Sequence, residues 1–256
     1  AADPAKVLRI SFPAAETGFD PVRVSDAYSN TVNEAIYERL LTYDFLARPA
    51  KLVPEVAESM PEITDDGRTY TFQIRKGVHF TPDPAFGGKP RELTADDFVY
   101  TFKRFVDPKN RSPWAFMLEG RIEGIDEHVE AAKRNGKFDY EGRIAGLQAI
   151  DRHTLRIRLT EPNYVFLYTL AHTPIAAMAR EVVEAYGDDL AAHPVGTGPY
   201  VLKEWKRASK IVLEANPDYR GFTWDFAPAD AERDAAIVAL MRGKTMPQIG
   251  RVEIGI

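Results

Sequence analysis

The sequence predicts an α/β fold, because strand and helix patterns alternate along its 256 residues. The clearest strand pattern is a hairpin around the turn Asp65-Asp66-Gly67, in which glycine is free to adopt a positive φ. After this turn, Tyr70, Phe72 and Ile74 alternate with polar residues. That spacing is typical of a strand that buries one of its two faces.

A capped helix is expected soon after this hairpin. Thr94 is suited to the N-cap position, and Asp96 and Asp97 fall in the first turn, where the helix dipole favours acidic side chains. The apolar face of this helix is aromatic and consists of Phe98, Phe102 and Phe105.

The rest of the pattern divides into short elements separated by proline-rich loops. Further strands are predicted at residues 7–12, 41–44, 78–80, 147–150, 154–159, 200–205, 211–214 and 251–254. Further helices are predicted from Ser25 or Asp26 to Leu40 and at residues 122–133, 164–170, 180–186 and 229–242.

Composition indicates a globular chain that does not bind nucleic acid. Hydrophobic residues make up 45% of the chain and charged residues 28%, which is enough apolar material for one large core or two smaller ones. The net charge is −5, and no run of Lys or Arg exceeds two residues. A nucleic-acid groove would need a basic stripe.

The chain contains no cysteine, which excludes disulfides, thiolate metal sites and cysteine nucleophiles within it. No apolar run is long enough for a transmembrane helix. The start Ala1-Ala2-Asp3-Pro4 resembles a mature end left by signal cleavage, with artificial trimming as the alternative. The chain stops at Ile256 inside a strand pattern, so we expect it to be a piece of a longer protein.

Catalytic and metal-binding motifs are not found. The five histidines are scattered, so no metal site is predicted, and no nucleophile elbow or phosphate loop occurs. Gly196-Thr197-Gly198 is followed by Pro199 and a strand, whereas a dinucleotide loop must lead into a helix. The sequence therefore predicts no cofactor and no enzyme activity. A hydrolase with a triad assembled from distant positions remains the alternative.

A set of segments in fixed order resembles a known family. The segments are residues 19–21, 35–44, 54–80, 93–100, 195–200 and 216–219. Together they resemble the family 5 extracellular solute-binding proteins, the dipeptide- and oligopeptide-binding components of ABC importers. The resemblance extends over nearly the whole chain.

The resemblance implies a periplasmic binding protein-like fold of type II, similar to cluster C, with an extra α/β subdomain in the first lobe and the second lobe absent. Residues 1–45 would begin lobe I, residues 46–160 would form the extra subdomain, and residues 161–256 would complete lobe I up to the crossing into lobe II. The insertion Gly124–Gly146 has no counterpart that we can place.

The implied function is capture of a peptide or peptide-like solute by hinge closure, followed by delivery to a membrane permease. The protein would be a periplasmic, or extracellular and membrane-associated, monomer. Nickel, haem, an opine or an oligosaccharide is the alternative ligand. A domain without any small ligand is a further alternative. The 256-residue chain alone should bind solute weakly or not at all, because half of the cleft would lie on the absent lobe.

The resemblance also implies which residues face the ligand. Glu16 would meet a ligand amine, and Thr17 and Gly18 would offer backbone hydrogen bonds. Trp114 or Phe116 would form an aromatic wall, and Thr197 would lie near the hinge. Packing in the core for Trp114 and simple turn formation for the glycines are the structural alternatives.

Overall fold

A computed structural model describes residues 2–256. Its strands are β1 (Asp3–Ser11), β2 (Leu41–Tyr43), β3 (Leu52–Pro54), β4 (Glu62–Thr64), β5 (Thr69–Gln73), β6 (Leu147–Asp151), β7 (Thr154–Arg158), β8 (Tyr200–Lys206), β9 (Lys210–Ala215), β10 (Phe222–Thr223), β11 (Thr245–Met246) and β12 (Ile249–Gly255). Its α-helices are α1 (Ala27–Ile36), α2 (Ala95–Val106), α3 (Ile125–Asn135), α4 (Phe166–Thr169), α5 (Arg180–Tyr186) and α6 (Ala235–Met241).

The first sheet joins distant parts of the chain in the order β1-β12-β9-β8. Strand β12 is parallel to β1 and antiparallel to β9, so it lies inside the sheet. Its residues Val252 and Ile254 are buried and stand opposite Leu8 and Ile10 of β1. Nearly every side chain of β1 is exposed.

The second sheet is antiparallel, in the order β4-β5-β7-β6, and contains both predicted hairpins. Tyr70 of β5 lies opposite Ile157, and Phe72 lies opposite Leu155. All four side chains are 0% exposed. The predicted alternation is therefore confirmed, with the apolar face of both hairpins in the core.

The turn between β4 and β5 is more unusual than predicted. Positive φ was expected at Gly67, but Asp65 (56°) and Asp66 (52°) also have positive φ. Asp65 is held in place by ion pairs to Arg68 (3.0 Å) and Arg158 (3.2 Å). Aspartate tolerates this left-handed conformation better than most residues.

Helix α2 has the predicted cap and aromatic face. The backbone N–H of Thr94 donates to Asp97 Oδ2 (2.8 Å), and Asp97 also accepts from both terminal nitrogens of Arg91. The buried aromatic residues are Phe98, Phe102 and Phe105, each 0% exposed. This helix packs mainly on β6 of the second sheet.

Several predicted elements are shorter or shifted in the structure, including the first helix, which was predicted to reach Leu40 and ends at Ile36. The helix predicted at 229–242 is only α6, because Asp234 accepts the N–H groups of Ala229 and Asp230 and so stabilises a turn. The helix predicted at 164–170 is reduced to α4, and residues 78–80 form only one isolated bridge. Helix α3 starts three residues late, after Gly124 with φ 81°.

The insertion at 124–146 packs onto the body of the protein. Lys103 of α2 donates from Nζ to the carbonyl oxygens of Tyr140 and Gly142, both at 2.8 Å. Tyr140 in turn donates its hydroxyl to Asp107 (2.6 Å). The insertion is thus fastened to α2 by buried polar contacts. Within residues 2–256, no helix has the length and apolar character needed to cross a membrane.

Candidate functional site

The loop between β1 and α1 is tied to the first turn of α1. Asp26 caps the helix by accepting from Ser29 N–H (2.7 Å), and it also accepts from the Thr17 hydroxyl (2.6 Å). The Thr17 N–H donates to Ser29 Oγ (2.9 Å). Burial acts to raise the pKa of Asp26, but these hydrogen bonds lower it overall. Asp26 is therefore a fixed negative charge beside the exposed Thr17.

Gly18 allows this loop to approach a distant segment. Its φ is +150°, and a Cβ atom there would lie 3.0 Å from the Cβ of Ala191. The neighbouring Phe19 N–H donates to the Ala191 carbonyl (2.9 Å). A side chain at position 18 would push these two segments apart.

Glu16 points into the protein and is 3% exposed. Its Oε1 accepts from the indole N–H of Trp205 (2.6 Å) and from the backbone N–H of Ala208 (2.9 Å). Its Oε2 is buried and has no hydrogen-bond partner among residues 2–256. The Glu16 carboxylate is therefore shielded from solvent in this structure.

Trp114 is half-buried beside the same loop. Its indole N–H donates to the carbonyl of Val24 (2.8 Å), two residues before Asp26. Its ring meets the imidazole of His172 edge-on, with 4.7 Å between ring centres. Burial, with a smaller effect of the nearby Arg39, lowers the pKa of His172, so the imidazole is neutral at pH 7.

Phe116 does not join Trp114. The intervening 3₁₀ turn, Ala115–Met117, carries Phe116 outward, where it is 59% exposed. There it lines a groove of about 410 Å³ together with Asp126, Val129 and Lys133 of the α3 region. The two predicted aromatic residues therefore belong to different surfaces.

Thr197 lies inside the protein, next to the end of α1. Its hydroxyl donates to Glu38 Oε1 (2.9 Å), which also accepts from Arg220 Nη1 (2.6 Å). Burial raises the pKa of Glu38 despite the arginine. Thr197 is 3% exposed, and its hydroxyl is already used in this buried network.

The glycines on either side of Thr197 are required by close packing. A Cβ atom at Gly196 would lie 2.1 Å from the carbonyl oxygen of Ile36, and one at Gly198 would lie 2.6 Å from it. The Gly198 N–H donates to that same oxygen (2.9 Å). This loop therefore terminates α1 and holds Thr197 in place.

Five of the six predicted residues thus lie around α1, at opposite ends. Thr17 and Gly18 contact its first turn, Glu16 precedes them in the same loop, and Trp114 binds Val24 just before the helix. Thr197 lies near its C-terminus, about 15 Å away by the rise of a ten-residue helix. Phe116 stands apart from both groups.

The structure adds polar residues that the sequence pattern did not single out. Asn33 of α1 is 0% exposed, and neither polar atom of its side chain has a partner among residues 2–256. Asn30 Oδ1, Glu38 Oε2 and His172 Nε2 are likewise buried and unpaired within that range. Such groups are costly unless a ligand or water meets them. The sequence feature that could have revealed them is the pair Asn30 and Asn33, three residues apart in a helix with an apolar face.

Among residues 2–256, no group of three or more His, Asp or Glu side chains is placed to hold a metal ion.

Comparison with known proteins decides the family. The profile of the bacterial extracellular solute-binding proteins, family 5 (middle region), matches residues 51–255. The chain belongs to this family. The resemblance seen in the sequence is thereby confirmed over most of its length.

Curated relatives of this family member are peptide-binding proteins by name. The periplasmic oligopeptide-binding protein OppA of Escherichia coli is 34% identical over 203 residues, which is 78% of this chain and 34% of OppA. Di/tripeptide-binding protein 2 of Pseudomonas aeruginosa is 30% identical over 239 residues, 88% of this chain and 40% of that protein. The chain thus spans between a third and two-fifths of these relatives.

Solved structures confirm the predicted fold class. Listeria monocytogenes OppA bound to peptide superposes with a TM-score of 0.74 at 21% identity, covering 98% of this chain and 42% of that one. Helicobacter pylori DppA in complex with the peptide STSA gives 0.70 at 25% identity, with 97% and 42% coverage. The chain therefore has part of the periplasmic binding protein fold, in keeping with the one-lobe prediction.

Proposed function

We propose that this chain is part of a substrate-binding protein of an ABC importer that captures a peptide or peptide-like solute in the periplasm. The observation that carries the proposal is the family match over residues 51–255, together with relatives named for oligopeptide and di/tripeptide binding. The two peptide-bound neighbours support peptide over nickel, haem, an opine or an oligosaccharide as the ligand.

The ligand surface on this chain is proposed to centre on the N-terminal end of α1. Thr17 is exposed there, next to the Asp26 carboxylate, and Trp114 supplies an aromatic face. A peptide amine would be attracted by the Asp26 carboxylate, and the buried Glu16 carboxylate would add negative charge behind the loop, while Gly18 keeps the loop close to the body. Phe116 would contact the ligand at the margin of this surface, and Thr197 would lie near the hinge between the lobes.

The proposed architecture has residues 1–45 and 161–256 in lobe I and residues 46–160 in an extra subdomain. In its favour, β1, β8, β9 and β12 share one sheet, and the second sheet uses only residues between 46 and 160. The β2–β3 pair crosses the boundary at residue 45, so the two parts are joined there. Closure of a second lobe over the ligand and docking of the monomer to a permease complete the proposal.

A binding protein needs no catalytic group, and we propose that this protein has none. The competing hydrolase would use a triad, and the His–acid contact in the structure is His153 with Glu92. Incubation with peptide and ester panels tests this alternative. Turnover that is lost on His153→Ala would refute the binding-protein proposal.

The ligand proposal is tested on the full-length protein purified without denaturation. Native mass spectrometry should reveal retained peptide, and calorimetry with that peptide should show weaker binding for Trp114→Ala. Phe222→Ala is the matched control, because Phe222 is an exposed aromatic residue (45%) outside the proposed surface. Retention of a non-peptide cargo, or equal effects of both variants, would contradict the proposal.

A further inference from the structure

A groove of about 870 Å³ lies beside α2. Its walls are the turn after α2, the C-terminal part of α3 with the following loop, and the C-terminal end of α5. None of the six candidate ligand residues lines it. The groove is therefore a separate feature of the surface.

The groove is basic, although the chain as a whole is acidic. The chain has 38 acidic and 33 basic residues, but the groove is lined by six basic and three acidic ones. The basic residues are Arg23, Arg104, Lys109, Arg111, Lys133 and Lys137. A concave surface lined by one sign of charge concentrates counter-ions of the opposite sign.

Half of these basic side chains are free of carboxylate partners. Arg104 is paired with Asp20, Lys133 pairs with Glu130, and Arg23 reaches Asp20 at 3.9 Å. Within residues 2–256, no carboxylate forms an ion pair with the three others, which are exposed: Lys109, Arg111 and Lys137.

The acidic residues of the groove are mostly engaged elsewhere. Asp107 accepts from the Tyr140 hydroxyl (2.6 Å) and from the Lys109 backbone N–H (2.9 Å). Glu184 is paired with Arg180 at 2.6 Å. In the described part of the chain, Asp188 is the lining acid for which no ion pair is found. Within the described residues, the groove therefore has three basic side chains and one carboxylate that form no ion pair.

The lining of the groove also contains the Arg104 guanidinium and two phenol rings. Arg104 is 3% exposed and is fixed by its two hydrogen bonds to Asp20. The rings of Tyr100 and Tyr140 lie 5.4 Å apart in the wall. Burial raises the pKa of Tyr100 to about 12, so this phenol stays neutral at pH 7. The exposed cations thus line the same groove as a fixed guanidinium and two aromatic rings.

We infer that this groove binds a phosphate-bearing anion, at a site separate from the solute cleft. Arg111 presents a planar fork that matches phosphate oxygens, and Lys109 and Lys137 add mobile ammonium donors on other sides. A terminal phosphate carries nearly two charges at pH 7, and so it matches three unpaired cations better than a single carboxylate does. The phosphate can belong to a free solute or to a lipid headgroup, since a phosphodiester headgroup also presents two anionic oxygens, with one charge.

The test is calorimetric titration of the full-length protein with inorganic pyrophosphate at low ionic strength. We expect saturable binding that weakens as salt is added. The double variant Lys109→Ala/Lys137→Ala should weaken it about tenfold, the order expected for the loss of two exposed charge contacts. The matched control is Lys6→Ala/Lys76→Ala, which removes two exposed lysines outside the groove. This control should change binding less than twofold, and unchanged melting curves should show that both variants are folded.

Vesicles distinguish the two sources of phosphate. Co-sedimentation with phosphatidylglycerol vesicles but not with phosphatidylcholine vesicles, lost in the groove variant, would assign the site to a lipid headgroup. Pyrophosphate binding without co-sedimentation would assign it to a free solute. Absence of both, or an equal loss in groove and control variants, would overturn the inference.

Discussion

Asp20 and Arg104 form a two-point ion pair in which each side chain is 4% exposed. The guanidinium donates to both carboxylate oxygens, at 3.2 and 3.0 Å. The pair connects the loop after β1 to helix α2, to which Arg104 belongs. The Arg104 guanidinium also lies 3.1 Å from the sulfur of Met178. The pair thereby joins segments that are 84 residues apart.

Removing one member of this pair should be costly. Asp20→Ala leaves the Arg104 charge buried without its partner, and we expect a loss of about 3–5 kcal/mol in the free energy of unfolding. Asp20→Leu/Arg104→Met removes both charges and should recover most of that loss. Urea denaturation measures all three proteins. A single variant as stable as the native chain would show that the pair is not buried in solution.

Gly196→Ala should destabilise the chain, since its Cβ would overlap the backbone oxygen of Ile36 at 2.1 Å. Overpacking of a rigid contact costs about 1–3 kcal/mol, and the backbone here cannot yield easily. Gly255→Ala is the control, because nothing lies within 4 Å of a Cβ atom at that position. Thermal melts of both variants should separate clearly. Similar melting temperatures would contradict the close packing of the loop on α1.

Asp97→Ala and Asp96→Ala compare two neighbouring acids with different surroundings. Asp97 is buried, caps α2 through the Thr94 N–H and holds Arg91, whereas Asp96 is exposed. Loss of these hydrogen bonds should cost about 2–3 kcal/mol for Asp97→Ala. Asp96→Ala should cost less than about 0.5 kcal/mol. Equal losses of unfolding free energy for the two variants in chemical denaturation would mean that the Asp97 cap does not contribute to stability.

Glu38→Gln should change how stability depends on pH. Burial raises the pKa of Glu38 above 4.5, so its contribution to stability is fully present below pH 4.5 and is lost as pH rises through the folded pKa. The stability of the native chain relative to Glu38→Gln should therefore fall as pH rises from 4.5 towards neutrality.

Glu204→Gln is the control with the opposite sign. Hydrogen bonds from Lys206 and Lys210 lower the pKa of Glu204, so its contribution is present above pH 4.5 and is lost as pH falls. Denaturation of the native chain, Glu38→Gln and Glu204→Gln at several pH values gives the pH dependence of both stability differences. A flat difference between the native chain and Glu38→Gln would show that Glu38 titrates as it does in the unfolded chain.

Local features of the fold could be predicted from the sequence. The β4–β5 hairpin and the Thr94 cap depend on residues within a few positions of one another, where turn chemistry and periodicity act directly. The shortened helix at 229–242 was missed, because Asp234 competes for backbone N–H groups in a way that periodicity does not reveal.

The candidate site could be predicted less well from the sequence than the local fold. The resemblance brought Glu16, Thr17, Gly18 and Trp114 to attention, and the structure places them around one helix end. The partners of Glu16 lie 189 and 192 residues away, so its burial could not be read from local pattern. Likewise, the spacing of Trp114 and Phe116 did not reveal that a 3₁₀ turn sends them to different surfaces.

The central position of β12 has a consequence for the order of folding. Within residues 2–256, β1 is paired only with β12, although 237 residues separate Ser11 from Ile249. During synthesis, β1 must therefore wait for these 237 intervening residues before its hydrogen bonds to β12 can form. Closing such a long loop is slow compared with forming the local hairpins. Until then, β1 offers free backbone groups to any other extended chain, and a factor that holds the nascent chain unfolded would protect it from wrong pairing.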